Sequence, residues 1–136
     1  MNEGKTRIFV DSNVVLYLLS GDAARADRAE SLLRQTPTIS VQVLNEVTNV
    51  CIRKLGMTWE EVAQFLGVVR SLSTVAPLTV EVHDLARQLA RRHSLSFYDS
   101  CIVAAAALAG CEILYTEDMH HGLIIEESTT LRNPFL

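Results

Sequence analysis

Apolar residues follow two rhythms along this chain: short runs of strand formers alternate with longer stretches in which apolar positions recur every three or four residues. Ile8, Phe9 and Val10 make the first short run, which stops at Asp11 and predicts a buried strand. Residues 14–19 are apolar again and predict a helix, with Ser12 as its N-cap and Gly21 near its end. Over residues 23–35, Ala26, Ala29, Leu32 and Leu33 recur among Arg and Glu, the pattern of an amphipathic surface helix. Residues 37–39 predict a second strand.

Ser40 opens the next helix, whose broad apolar face is Val43, Leu44, Val47, Val50 and Cys51 and whose end is marked by Lys54-Leu55-Gly56. Thr58-Trp59-Glu60-Glu61 has the form of a capping box ahead of Val62, Phe65, Leu66 and Val69, so another helix follows at once. Trp59 and Tyr17 are assigned to apolar helix faces by core packing. Residues 75–78 predict a third strand, confined to a sheet edge by Pro77. Residues 79–92 return to helical period through Val82, Leu85, Ala86 and Leu89. Ser96-Phe97-Tyr98-Asp99 reads as a second capping box before an alanine-rich helix that stops at Gly110. A strand at 112–115, a polar loop at 116–122 and a last strand at 123–125 complete the chain.

This alternation predicts an α/β fold: a three-layer α/β/α sandwich around a central parallel sheet. With no repeat, low-complexity tract or linker, residues 1–136 read as one domain. Only 6% of residues are aromatic, so Val, Leu, Ile and Ala must build the core, as suits helices stacked on a parallel sheet.

The formal net charge of −4 argues against gripping nucleic acid through bulk positive charge, and leaves local patches or metal ions for that task. Cys51, Cys101 and Cys111 form no CxxC pair, so buried free thiols are expected rather than a disulfide framework or zinc site. The longest apolar stretch, residues 101–111, is well short of the roughly 20 residues that cross a bilayer. MNEGKTRIFVD lacks the apolar core of a secretory leader. A cytoplasmic protein is expected.

Chemistry enters with the acids. Asp11 ends a strand, where ligands bind in open parallel sheets, and it is also a favoured helix cap. Glu46 is a lone acid among Val43, Leu44, Val47 and Val50, open to a solvated face or to a site. Asp99 completes a capping box and complements a helix dipole, which is sufficient reason for its presence. Glu117 and Asp118 follow a strand much as Asp11 does. Two acids after strands and two near helix N-termini can converge on one edge of the sheet. Carboxylates that close repel and raise one another's pKa unless a cation intervenes. A hard divalent ion resolves the conflict and leaves room for a phosphate and a nucleophilic water, the components of metal-assisted phosphodiester hydrolysis.

FVDSNVVLYLL, VQVLNEV, SFYDSCIVAAAALAGC and ILYTEDMHHG resemble, in order, the four motifs of the PIN-domain nucleases, and the similarity runs from Arg7 to Asn133-Pro134-Phe135. The resemblance implies that Asp11, Glu46, Asp99 and Asp118 form an acidic quartet that binds Mg²⁺ or Mn²⁺ and cuts RNA. It matches Thr116 to the family's hydroxyl residue two positions before the last acid. Within the family, the short single-domain form looks like the VapC-type toxins of toxin–antitoxin pairs, implying a small antitoxin partner and a homodimer. Two departures stand out: Ser12 occupies a place where Thr is frequent, and Glu117 adds a carboxylate beside Asp118, leaving open which of the two touches metal.

Ser12 and Asn13 adjoin Asp11 and can hydrogen-bond it, or cap the following helix. Arg91, Arg92 and His93 offer a local positive patch for RNA, or simply complement a helix C-terminus. His120 and His121 flank the fourth motif; solvation is the default for such loop histidines, as for His83. Three rivals remain: a catalytically silent PIN-fold binding module, a phosphoacceptor receiver-like domain and a haloacid-dehalogenase-like phosphatase. The receiver lacks its paired acids after the first strand and its late lysine, and the phosphatase lacks an Asp where this chain has Asn13.

Overall fold

The strand β1 (Ile8–Val10) lies inside the sheet with all three residues buried. Neighbouring strand residues face opposite ways, so this burial requires cover on both faces. A computed structural model of the chain, describing residues 5–136, supplies the neighbours. They are β2 (Thr38–Ser40), β3 (Thr74–Ala76), β4 (Ile113–Tyr115), β5 (Ile124–Ile125) and β6 (Thr129–Arg132), in the order β3-β2-β1-β4-β6-β5. Every pairing is parallel except β5 with β6. Part of the N-terminal stretch read for a leader, residues 1–4, lies outside the described residues.

The central sheet is parallel as expected, and an antiparallel strand is added only at one edge by the β5–β6 hairpin, of which β6 was not expected. Two causes are visible. Glu126 and Glu127 adopt φ of 51° and 60°, and Ser128 N–H donates to the Ile125 carbonyl at 3.1 Å, which closes a two-residue hairpin turn. Such turns are normally signalled by Asn-Gly, and here both central residues are glutamates. Thr129-Thr130-Leu131-Arg132 also holds one large apolar residue, and only Thr129 and Leu131 are buried. β3 behaves as expected of an edge, part-exposed and followed by Pro77.

The helices are α1 (Ser12–Leu16), which tightens into a 3-10 turn at Tyr17–Leu19, α2 (Ala23–Leu33), α3 (Val41–Arg53), α4 (Trp59–Leu72), α5 (Val80–His93) and α6 (Phe97–Leu108). Among the described residues no helix is long and apolar enough to cross a membrane. α6 is buried from Ser100 through Ala106, and its alanines allow close packing against α5, α3 and β2. Trp59 is 69% exposed instead of packed in the core, because it starts α4 and the buried positions of that helix are Val62 and Val69. Cys51, Cys101 and Cys111 are buried free thiols, as expected.

The order of strands reverses at β1, with β2 on one side and β4 on the other. A crevice outside the carboxyl ends of the strands is expected at that point. Val10 is in register with Tyr115, so the residues that leave the two strands, Asp11 and Thr116, emerge side by side. Asp11 N–H extends the ladder to the Tyr115 carbonyl at 3.0 Å, and Thr116 N–H extends it to Arg132 at 2.9 Å.

Candidate active site

Asp11 is the floor of the crevice. It is 2% exposed and sits at φ −77°, ψ 165°, the extended geometry of an N-cap. Asp11, not Ser12, caps α1: its Oδ1 accepts the Ser12 N–H at 2.6 Å. Its other oxygen, Oδ2, accepts the Thr116 hydroxyl at 2.8 Å. The cap and site readings of Asp11 are therefore compatible, since the two oxygens face different donors. Burial raises the carboxyl from 3.8 to about 7, against the lowering effect of the Thr116 and Ser12 bonds, and the charges of Glu46 and Asp99 add to the rise.

Glu46 projects from the second turn of α3, the helix that leaves β2 with Ser40 as its cap. The Ser12 hydroxyl donates to Glu46 Oε1 at 2.7 Å while lying 3.2 Å from Asp11 Oδ1, so Ser12 stands between two acids. Gln42, one turn earlier and buried, donates from Nε2 to Glu46 Oε2 at 3.2 Å. Sequence reading missed Gln42, although its i, i+4 spacing from Glu46 was a usable signal.

Asp118 lies past β4 and is exposed. Asn13 Nδ2 donates to Asp118 Oδ2 at 3.0 Å, and lies 3.4 Å from both Asp11 Oδ2 and Thr116 Oγ1. The Asn13 carbonyl accepts the Glu117 N–H at 3.2 Å, so a single amide grips the loop at two consecutive residues. Asp118 N–H donates to Thr116 Oγ1 at 3.3 Å.

Asp99 stands in the first turn of α6, where its N–H donates to the Ser96 hydroxyl at 3.2 Å. In α4, Thr58 and Glu61 exchange both bonds of a capping box, whereas in α6 the return bond to the Ser96 N–H is not formed. The Asp99 carboxylate thus does not reach back to the Ser96 N–H, although the Ser96 hydroxyl still acts on it. Burial raises its pKa, the Ser96 hydroxyl opposes this, and the nearby charge of Asp118 raises it again.

Glu117 faces elsewhere. The Tyr17 hydroxyl donates to its Oε1 at 2.7 Å, and Arg25 pairs with its Oε2. Among the described residues, six ion pairs occur, and none includes Asp11, Glu46, Asp99 or Asp118. Ser12 links Asp11 to Glu46, Asn13 links Asp11 to Asp118, Asp99 lies near enough for its charge to act on Asp11, and Glu117 is neutralised beside them. No local signal connected Tyr17 or Arg25 with this region. Arg91 and Arg92 are exposed at the end of α5, with Arg92 3.4 Å from Glu126, and His121 Nδ1 accepts the Asn133 N–H at 3.0 Å.

The acids present oxygens, with the Ser12 and Thr116 hydroxyls beside them, while Asn13 turns its N–H donors toward Asp11 and Asp118 and its amide oxygen toward the Glu117 N–H. Among the described residues no three carboxylate, imidazole or thiol groups meet closely enough to share one ion directly. A hard divalent cation can bind through one or two carboxylates and keep several waters, so it does not require three acids in direct contact. Neutral donors between the acids keep them oriented and apart.

The chain belongs to the PIN domain family, whose model matches residues 8–122. No curated protein matches the chain. Among solved structures, the VapC20 toxin of Mycobacterium tuberculosis, described as cleaving the sarcin–ricin loop, is similar at 22% identity and a TM-score of 0.67, over 82% of this chain and 89% of that one. A toxin–antitoxin complex from Klebsiella pneumoniae is similar at 20% identity and a TM-score of 0.69, over 95% and 98%. A DNA-bound VapBC complex from Salmonella typhimurium is similar at 16% identity and a TM-score of 0.70, over 96% and 99%. These likenesses show the PIN fold. Family and fold displace the receiver and phosphatase rivals.

Proposed function

We propose that this chain is a metal-dependent endoribonuclease and the toxin of a toxin–antitoxin pair, with Asp11, Glu46, Asp99 and Asp118 holding Mg²⁺ or Mn²⁺. One observation supports the reading: Asp11, Glu46 and Asp118 are linked through Ser12 and Asn13 at the turning point of the sheet, Asp99 is near enough for its charge to act on Asp11, and none has a cationic partner among the described residues. Burying a carboxylate such as Asp11 with only neutral donors is unfavourable until a cation arrives.

When bound, a divalent ion supplies Lewis acidity toward phosphate oxygens and lowers the pKa of water. The chain's own residues prepare the place. Asp11 and Glu46 are held by Ser12, Thr116 and Gln42, Asp118 by Asn13, and the Asp99 carboxylate makes no return bond to the Ser96 N–H. RNA must be admitted by an acidic protein, so exposed Arg91 and Arg92 are assigned to its backbone. The structures similar in fold include toxin–antitoxin complexes, which supports an antitoxin partner. An Arg from that partner suits the unpaired acids, since guanidinium matches carboxylate in two bonds. Leu78, Val80 and Leu108 leave apolar surface exposed, which supports a homodimer; the cytoplasm is the compartment we assign to it.

The purified chain, incubated with RNA and Mn²⁺ or Mg²⁺, should cut it, and EDTA should stop the reaction. A metal-loaded chain that binds but does not cut RNA would establish the binding-module alternative instead.

A further inference from the structure

In sequence, α2 is a charged surface helix whose arginines need no role beyond solvation. In the structure two of them, one turn apart, brace the end of β4. Arg28 lies over the Tyr115 ring at 5.7 Å and donates from Nε to the Pro134 carbonyl at 3.1 Å. Arg25 lies 5.2 Å from the ring centres of both Tyr17 and Phe135, which themselves meet edge to face at 4.8 Å. From that aromatic slot Arg25 Nη1 donates to the Tyr17 hydroxyl at 2.6 Å and pairs with Glu117.

We propose that Arg25 is a positioning residue: with Tyr17 and Phe135 it holds Glu117 outside the crevice, so that Asp118 is the carboxylate the loop presents to the ion. The role rests on the nuclease reading above. Its geometric basis is that residues 117 and 118 are gripped from opposite sides. Asn13 takes the Glu117 N–H and the Asp118 carboxylate, and Arg25 takes the Glu117 carboxylate. Both grips are needed to set the loop, because adjacent acids on a polar loop are otherwise interchangeable ligands for a hard cation. The guanidinium rests against both rings of the Tyr17–Phe135 pair, and a lysine would keep the charge but lose the planar group that meets the rings and the carboxylate together. The C-terminal residues Pro134 and Phe135 belong to the same clamp, so they act on the crevice without touching it.

Four proteins test this: the wild type, Arg25→Ala, Arg25→Lys, and Arg25→Ala combined with Glu117→Gln. The measurements are Mn²⁺ affinity by calorimetric titration, the kcat and KM of RNA cleavage, and metal-free Tm. Arg25→Ala should weaken Mn²⁺ binding about 10-fold and lower kcat comparably, the loss typical of groups that orient metal ligands. KM should stay near wild type, metal-free Tm should fall by only a few degrees as the Arg25 contacts are lost, and Arg25→Lys should recover part of the affinity. In the Glu117→Gln background, Arg25→Ala should cost less than about twofold, since the acid it restrains is gone. A wild-type Mn²⁺ affinity in Arg25→Ala would overturn the positioning role alone. A raised KM with unchanged affinity would also overturn it, making Arg25 an RNA contact. A wild type that neither binds Mn²⁺ nor cuts RNA would overturn the nuclease reading, and this role with it.

Discussion

Asn13 and Asp118 lie 105 positions apart in the chain and meet at 3.0 Å across the crevice. Asn13 is also the residue that receives the Glu117 N–H, so it ties the loop after β4 to the start of α1. Asn13→Ala should therefore lower RNA cleavage by about 10- to 100-fold, as expected when a group that orients metal ligands is lost. The cost in stability should be about 1 kcal/mol, the scale of a part-exposed hydrogen bond. Steady-state kinetics beside thermal melts check both. A loss of activity matched by loss of the fold would make Asn13 a structural residue only.

Asp11 makes stability depend on pH in a defined direction. Its carboxyl is raised from 3.8 to about 7 in the folded state, so the fold prefers the protonated form. For such a group stability is fully present below the unfolded value and is lost as pH rises through the folded one. In metal-free buffer the wild type should lose stability between about pH 4 and pH 7, by about 4 kcal/mol from this group. Asp11→Asn, which cannot titrate, should be the more stable protein at pH 7.5, and the gap should close toward pH 4. Urea melts across that range test the sign, and a gap independent of pH would refute it.

Ser96 and Asp99 separate capping from chemistry. Ser96→Ala removes the acceptor for the Asp99 N–H and should cost about 1 kcal/mol while sparing Mn²⁺ binding. Asp99→Asn keeps the backbone bond and should lose most Mn²⁺ affinity, at a stability cost of only about 0.3 to 1 kcal/mol. Titration calorimetry on the two variants gives the comparison. Equal loss of affinity in both would return Asp99 to the cap.

Added Mn²⁺ should raise the wild-type Tm, because a ligand that binds only the native state stabilises it by about 2.7 kcal/mol at 100 times its Kd. The double variant Glu46→Gln, Asp99→Asn should show much less of this shift. Scanning calorimetry with and without the ion reads it directly, and equal shifts would place the ion elsewhere.

What could be read from sequence follows from what is local. β1, β2, β4 and the helices announce themselves through apolar period and caps, and Asp11, Asp99 and Asp118 stand at or near element ends while Glu46 lies in the second turn of α3. β6 was hidden because its turn is built from Glu126 and Glu127 and its inward residues are a threonine and a leucine. The choice between Glu117 and Asp118 was hidden for a different reason. It depends on Arg25, which is 92 positions from Glu117 and sits in a helix whose composition is that of ordinary solvated surface. Asp11 was readable as a cap or as a site acid, and no one-dimensional pattern shows that two oxygens of one carboxylate divide the work.

The central pairing has a kinetic consequence. Ile8 with Ile113 and Val10 with Tyr115 join the two ends of the chain, and Thr116 in turn leans on Arg132. Helices and the β1–β2 region can form while the ribosome is still at work, but closing so long a loop comes late and is slow. Until β4 and the residues after it emerge, Asp11 has no Thr116 beside it and Asn13 has no Asp118. A polypeptide released early from a broken message would thus lack the assembled acidic site.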